Sequence, residues 1–371
     1  MTKTAVILFN LGGPDTLDAV EPFLFNLFND PAIIDAPGPV RYCLARWISW
    51  RRSPVAKHIY EQMGGSSPLL SQTRAQSDAL DLCLNEGTHS AAFKSFIVMR
   101  YWHPMSDPVA AQVKEYGPDN IILLPLYPQY STTTTGSSIK DWNRAAKIVG
   151  LEVPTTAVCC YPVNVEWITA QCDLVVEQLS ARQLKTQIKT PVRILFSAHG
   201  LPKKIIEKGD PYQHQVEQTA AALAGAIADR GHADLDWAIC YQSRVGPLEW
   251  IGPSTEDEIA RAARDGLGIV VVPVAFVSEH SETLVELDIE YRDMAKALGV
   301  TDYTRIAAVG TSDQFIRGLA GLVEKSLVKG GLCQVTQTGN IAPQFVTEVV
   351  SDGGQRLCPR NQTQCPQIYT D

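Results

Sequence analysis

The sequence predicts an α/β protein of two similar lobes, each built on a parallel sheet, and two observations carry that reading. Short runs rich in Val, Ile and Leu end in Gly, Pro or Ser and alternate with longer stretches of helical pattern. Runs that are apolar without alternation mark strands buried on both faces, as parallel sheets require. The second observation is an internal repeat. Ile7–Pro14 (ILFNLGGP) resembles Ile194–Pro202 (ILFSAHGLP), Ser95–Pro104 resembles Asp236–Pro247, and Ile121–Ser138 resembles Ile269–Thr283, in the same order. Matched segments in matched order predict two βα lobes facing one another across a ligand cleft.

The elements follow in order. The first strand lies in Thr4–Pro14, where five apolar residues from Ala5 to Phe9 stop at Gly12, Gly13 and Pro14. Residues 30–68 then break the alternation. Tyr42, Leu44, Trp47, Ile48 and Trp50 stand among Arg41, Arg46, Arg51 and Arg52, which reads as a helical hairpin on the core or as an aromatic, basic lip over an apolar anionic ligand. Further strands fall in Phe93–Pro104, Asp119–Tyr130 and Thr156–Pro162 of the first lobe. Val192–Pro202, Leu235–Pro247, Gly268–His280 and Thr304–Gly310 supply those of the second. The expected domains are 1–180, with the lip; 181–328, after a polar stretch around Ala181 to Thr190; and an extension, 329–371, that no sheet needs.

The chain has 371 residues, is 45% hydrophobic and 19% charged, and carries a formal net charge of −8 with scattered acids and bases. No basic face is present, which excludes a nucleic-acid partner. The apolar run near Thr4 has no signal-peptide pattern and no segment reaches membrane-spanning length, so a cytoplasmic location is expected. Nine cysteines without secretory context point to thiols or metal ligands, not a disulfide framework.

Ligands of parallel α/β sheets sit beyond the carboxyl ends of the strands. His199 stands at such an end in "FSAHGLP", where the matched end of the first lobe, "LGG", has no ionisable group. Glu279, His280 and Glu282 crowd another. On a helix, Glu282, Glu286 and Glu290 fall at i, i+4 and i+8, three acids on one stripe with Leu284, Val285, Leu287 and Ile289 around it. Like charges at that spacing oppose helix formation, and the helix dipole favours only the first. A half-buried acid line of this kind suits passage of protons or a divalent cation.

Together "LFNLGGPDTLDAVEPFLFNLF", "GGSSPL", "RYWHP", "PLYPQYSTTTTGSS", "FSAHGLP", "YQSRVGP" with "WIGPST", and "PVAFVSEHSETLVELDIEY" resemble the ferrochelatase family, from about Ala5 to about Val328. The resemblance implies two Rossmann-like, chelatase-type lobes, each a four-stranded parallel sheet flanked by helices. It implies insertion of Fe(II) into protoporphyrin IX, the terminal step of haem synthesis, with loss of two pyrrole protons. His199 and Glu282 are then the catalytic and metal-binding pair, and His280, Glu286 and Glu290 the proton or metal relay. Leu11, Tyr101, Tyr241 and Phe276 are expected to line the porphyrin cleft, Arg100 to stand near its centre, and Arg52 and Ser67 to meet the propionates. Leu11 and Tyr241 depart from the Met and Trp of some members, which changes the fit of an apolar wall.

Some relatives carry a [2Fe–2S] cluster, which needs four thiolates. Thr132 occupies the place of their mid-chain ligand, so a cluster here would use Cys333, Cys358 and Cys365 with Cys159 or Cys160. The lip implies peripheral membrane contact while a hydrophobic substrate is delivered. Coproporphyrin or sirohydrochlorin chelation are the neighbouring functions, and a haem or metal carrier is the non-enzymatic one; a carrier has no use for an acid line.

Overall fold

The computed structural model describes residues 2–86, 91–185, 191–244, 246, 248–327, 348–352 and 356–367. Its contacts divide the chain into two compact units: residues 1–161 with 319–360 and 364–371, and residues 162–318 with 361–363. The division falls ahead of the helix Val165–Lys185, not after it as the polar stretch suggested, because that helix packs on Tyr212–Ile227 of the second unit.

In the first unit a five-stranded parallel sheet has the order β2-β1-β3-β4-β9, with β1 Thr2–Asn10, β2 Ala91–Met99, β3 Asn120–Pro125, β4 Thr155–Cys160 and β9 Glu348–Ser351. Ala5 to Phe9 of β1 are fully buried, as a strand covered on both faces requires. The helices α1 Val20–Phe28, α2 Gly38–Gln62, α3 Leu69–Glu86, α4 Ser106–Tyr116 and α5 Thr135–Val149 belong to this unit. Phe9 meets Trp142 of α5 edge-on, ring centroids 6.4 Å apart. Four strands were expected in this lobe. The fifth, β9, comes from the extension, so the tail does serve the sheet: Val349 is buried in the core and pairs with Ala157. The register of β4 slips between Val158 and Cys160, a bulge beside two adjacent cysteines.

The excursion is one 25-residue helix, α2, instead of a hairpin. Only Ala45, Ser49, Ser53 and Tyr60 of it are buried, so Val40, Tyr42, Trp47, Trp50 and Val55 stay exposed.

In the second unit a four-stranded parallel sheet has the order β6-β5-β7-β8, with β5 Val192–His199, β6 Asp236–Gln242, β7 Gly268–Pro273 and β8 Tyr303–Arg305. The three repeated segments fall on β1 and β5, β2 and β6, β3 and β7, at the same places in both strand orders. Between the strands run α6 Val165–Lys185, α7 Lys203–Glu207, α8 Tyr212–Ile227 and α9 Thr255–Arg264. After β7 a π-helical segment, Glu282–Glu290, leads into α10 Tyr291–Ala297, and α11 Asp313–Leu327 ends the run. All strands being parallel, His199, Gln242 and the turn after Pro273 share one edge of the second sheet.

Candidate active site

His199 ends β5, and its Nδ1 lies 2.6 Å from the carbonyl of Gly200. A carbonyl only accepts, so Nδ1 carries a proton and Nε2 is the nitrogen turned to Glu282. Gly200 must lack a side chain here, since a Cβ would meet Gln242 O at 3.0 Å. Nε2 of His199 faces Glu282 Oε1 at 3.7 Å, and His280 Nε2 faces Glu282 Oε2 at 3.9 Å. Neither is a hydrogen bond, and Oε2 is buried with no hydrogen-bond donor. His280 is held by its backbone: its N–H donates to Thr283 Oγ1 at 3.0 Å and its carbonyl accepts from Leu284 N at 2.9 Å. Its ring meets Phe276 edge-on at 4.5 Å. Burial lowers the His280 pKa below its ordinary value, Glu282 and Glu279 opposing.

The four glutamates of this stretch have four environments. Glu279 accepts from Arg305 at 2.7 and 2.9 Å and from Ala308 N at 2.9 Å, while Arg305 also holds Asp288 at 2.6 Å. Burial pushes the Glu279 carboxyl up, but Arg305 with Thr283 and Ala308 outweighs it and leaves it low. Glu286 accepts from Ser243 N at 2.8 Å, Ser243 Oγ, Gln242 Nε2 at 2.9 Å and Tyr291 Oη at 3.2 Å. Its carboxyl is raised, first by burial and then by Glu282. Ser243 takes a left-handed φ of 60°, uncommon for a residue with a side chain, and both its donors reach Glu286. Glu290 is exposed. Gln242, Ser243, Tyr291 and Arg305 were not foreseen. "YQSRVGP" and "DIEY" contained three of them without any pattern marking them as partners of an acid.

The π-helical segment carries Glu282 and Glu286, and such segments are rare and frequent at functional sites. Among the described residues no group of three or more His, Cys, Asp or Glu is arranged to hold a metal ion.

In the first unit, Leu11 and Ser67 are half-buried and Arg52 is exposed, stacked 5.6 Å over Phe28. Arg100, expected near the centre of the site, is half-buried, and Tyr101, expected in the cleft wall, is fully buried. Arg100 pairs with Asp30 at 2.8 Å, and Tyr101, 0% exposed, donates to the same Asp30 oxygen at 2.8 Å. Tyr101 sits in a cluster with Val20, Phe23, Leu24 and Tyr60. In the second unit Tyr241 is likewise closed off at 1% exposure, and Phe276 is half-buried.

Cys159, Cys160, Cys358 and Cys365 are all buried in the first unit. Burial raises the Cys159 thiol well above its ordinary value, and Cys160, Cys365 and Cys358 add to it. Cys159 and Cys160 Sγ are 3.2 Å apart. Arg356 staples the tail loop through the carbonyls of Cys358 and Gln367 at 3.0 and 2.8 Å. Cys333 lies outside the described residues.

The ferrochelatase family model matches residues 3–327. Proteins named ferrochelatase are 52% identical in Pelagibacter ubique over 323 residues (87% of this chain, 91% of theirs) and 52% in Caulobacter vibrioides over 327 (88% and 91%). The one from Hyphomonas neptunium is 47% identical over 367 residues, 98% of this chain and 95% of its own, so its match reaches into the tail. SirB from Bacillus subtilis, solved with Fe3+, has a TM-score of 0.50 at 11% identity over 88% of this chain and 96% of its own, a likeness of fold.

Arg305→Leu tests the clamp on Glu279. In the wild type the carboxyl lies below its ordinary 4.5, so the stability it contributes is present above that pH and lost on acidification below it. Without Arg305, burial dominates, the folded pKa rises above 4.5, and stability falls as pH rises through 4.5. Urea unfolding at neutral pH should show a loss of about 3–5 kcal/mol. A variant that keeps the wild-type slope would refute the clamp.

Proposed function

This chain belongs to the ferrochelatase family, an enzyme that inserts iron into a porphyrin for haem synthesis, and we propose that His199 and Glu282 carry out the insertion on protoporphyrin IX. The observation that carries the assignment is the Glu282 carboxylate between two imidazoles, Oε1 toward His199 Nε2 and the buried, donorless Oε2 toward His280 Nε2. An unpartnered carboxylate oxygen away from water costs free energy until a cation or a proton arrives. Metallation supplies both in turn: Fe(II) enters and two pyrrole protons leave.

The roles follow from the atoms. Nε2 of His199, its tautomer set by Gly200, accepts a pyrrole proton, and Glu282 shares the proton and the incoming metal. His280, kept neutral by burial, leaves the negative charge of Glu282 available to either cation. Glu286, raised by burial, takes protons onward. Leu11, Phe276, Arg52 and Ser67 are the porphyrin contacts we retain, the last two for the propionates. Arg100 and Tyr101 support that surface from beneath through Asp30.

Trp47 and Trp50, 54% and 65% exposed on α2 with Tyr42 beside Arg46 and Arg51, support peripheral membrane contact for a cytoplasmic enzyme and a substrate as apolar as protoporphyrin. Among the described residues no helix is long and apolar enough to cross a membrane. A [2Fe–2S] cluster needs four thiolates, and no three of the described residues are set to hold a metal ion, so a cluster would draw on Cys358 and Cys365 with Cys159 or Cys160 and with Cys333, which lies outside the described residues. When bound, it supplies one-electron redox capacity and a covalent tie between the tail and β4.

His199→Ala and Glu282→Gln should each lower the anaerobic rate of haem formation at least ~10²-fold while porphyrin still binds. Wild-type rates in either would remove that residue from the mechanism. Anaerobically purified protein should be red-brown with acid-labile sulfide, and Cys358→Ser or Cys365→Ser should bleach it; colourless wild type sinks the cluster. Trp47→Ser with Trp50→Ser should weaken binding to anionic vesicles, and unchanged partition would end the membrane reading.

A further inference from the structure

The acid stripe read along the helix runs from Glu282 through Glu286 to Glu290, but the hydrogen bonds leave that line at Glu286. Tyr291, buried at the start of α10, has its hydroxyl 3.2 Å from Glu286 Oε1 and 3.2 Å from Glu256 Oε1. Glu256 lies in the first turn of α9, a separate element, and is half-buried.

A phenol has one proton to give. With two carboxyl oxygens at hydrogen-bond distance, that proton can be directed to either acid or shared between them, so Oη links Glu286 to Glu256. The other oxygen of Glu256, Oε2, is buried with no hydrogen-bond partner. We propose that Tyr291 is a proton-relay residue that passes pyrrole protons from Glu286 to Glu256, so that the exit path turns into α9 instead of continuing to Glu290.

The transfer balances. The Glu286 O–H bond breaks as a proton joins the Tyr291 oxygen, and the Tyr291 O–H bond breaks as its own proton joins Glu256. Tyr291 ends neutral with its hydrogen redirected to Glu286, and Glu256 gives the proton to water. Burial and the two carboxylates hold the phenol far above its ordinary pKa, so it starts and ends each transfer protonated. Glu286 is presented to Tyr291 by Ser243 and Gln242, and Gln242 Nε2 also reaches the Glu282 carbonyl at 3.2 Å. The relay rests on the reading that His199 and Glu282 release protons toward Glu286.

The test uses the full-length protein and Zn(II) or anaerobic Fe(II) with protoporphyrin IX, in water and in deuterium oxide. Tyr291→Phe keeps the ring and removes the hydroxyl. It should lower kcat about tenfold, less than loss of a group that exchanges protons with the reactant itself, leave KM for porphyrin unchanged and alter the solvent isotope effect. Glu256→Gln should do the same, and added formate, a small proton carrier, should restore part of its rate. Unchanged kcat and isotope effect in both variants, in an active wild type, would overturn the relay alone. Slower variants with raised KM and no formate rescue would overturn it too, as a packing effect. An inactive wild type would overturn the parent reading and the relay with it.

Discussion

Glu282 keeps one carboxylate oxygen out of water and out of reach of any hydrogen-bond donor, and the surrounding structure distributes donors so that this remains true. Glu279 takes the Arg305 guanidinium and a backbone N–H, while Glu286 takes two groups of Ser243 and the amide of Gln242. Each acid near Glu282 is thereby supplied on its own terms. A donor diverted to Glu282 would satisfy it and remove its appetite for a cation.

That distribution needs a rigid carrier. Arg305, on β8, holds Glu279 before the π-helical segment and Asp288 near its end, so one guanidinium braces both sides of Glu282. Thr283, Val285 and Leu287 bury one side of the segment, and Tyr303 donates to the Leu287 carbonyl at 2.6 Å. The wide π turn is thus fixed by packing and by a buried ion pair, which specifies geometry more than it adds stability.

The first unit shows the same economy of position. A strand from the far end of the chain covers the edge of β4, and a bulge there places Cys159 and Cys160 side by side. The tail beyond β9 is stapled by Arg356 through the carbonyls of Cys358 and Gln367, and Cys358 and Cys365 are buried there. Asp30 gathers Arg100, Tyr101 and Ser137 from two further segments.

The strands, their parallel sense and the duplication were legible in the sequence, because burial on both faces is written as continuous apolar runs and a repeat shows in residue order. The position of His199 and Glu282 was legible too, both being ionisable groups that follow the ends of such runs, and the structure brings them near one another. The tail's strand was not, since its partner lies at β4, remote in the chain, and a short strand at a sheet edge has no local signature. Nor were the inward turn of Tyr101 toward Asp30, the reach of Tyr291 to Glu256 or the hold of Arg305 on Glu279. Periodicity reports which face a residue presents. Which distant donor meets it there is decided only when the elements pack, because a hydrogen bond depends on tenths of an ångström between groups the chain does not order.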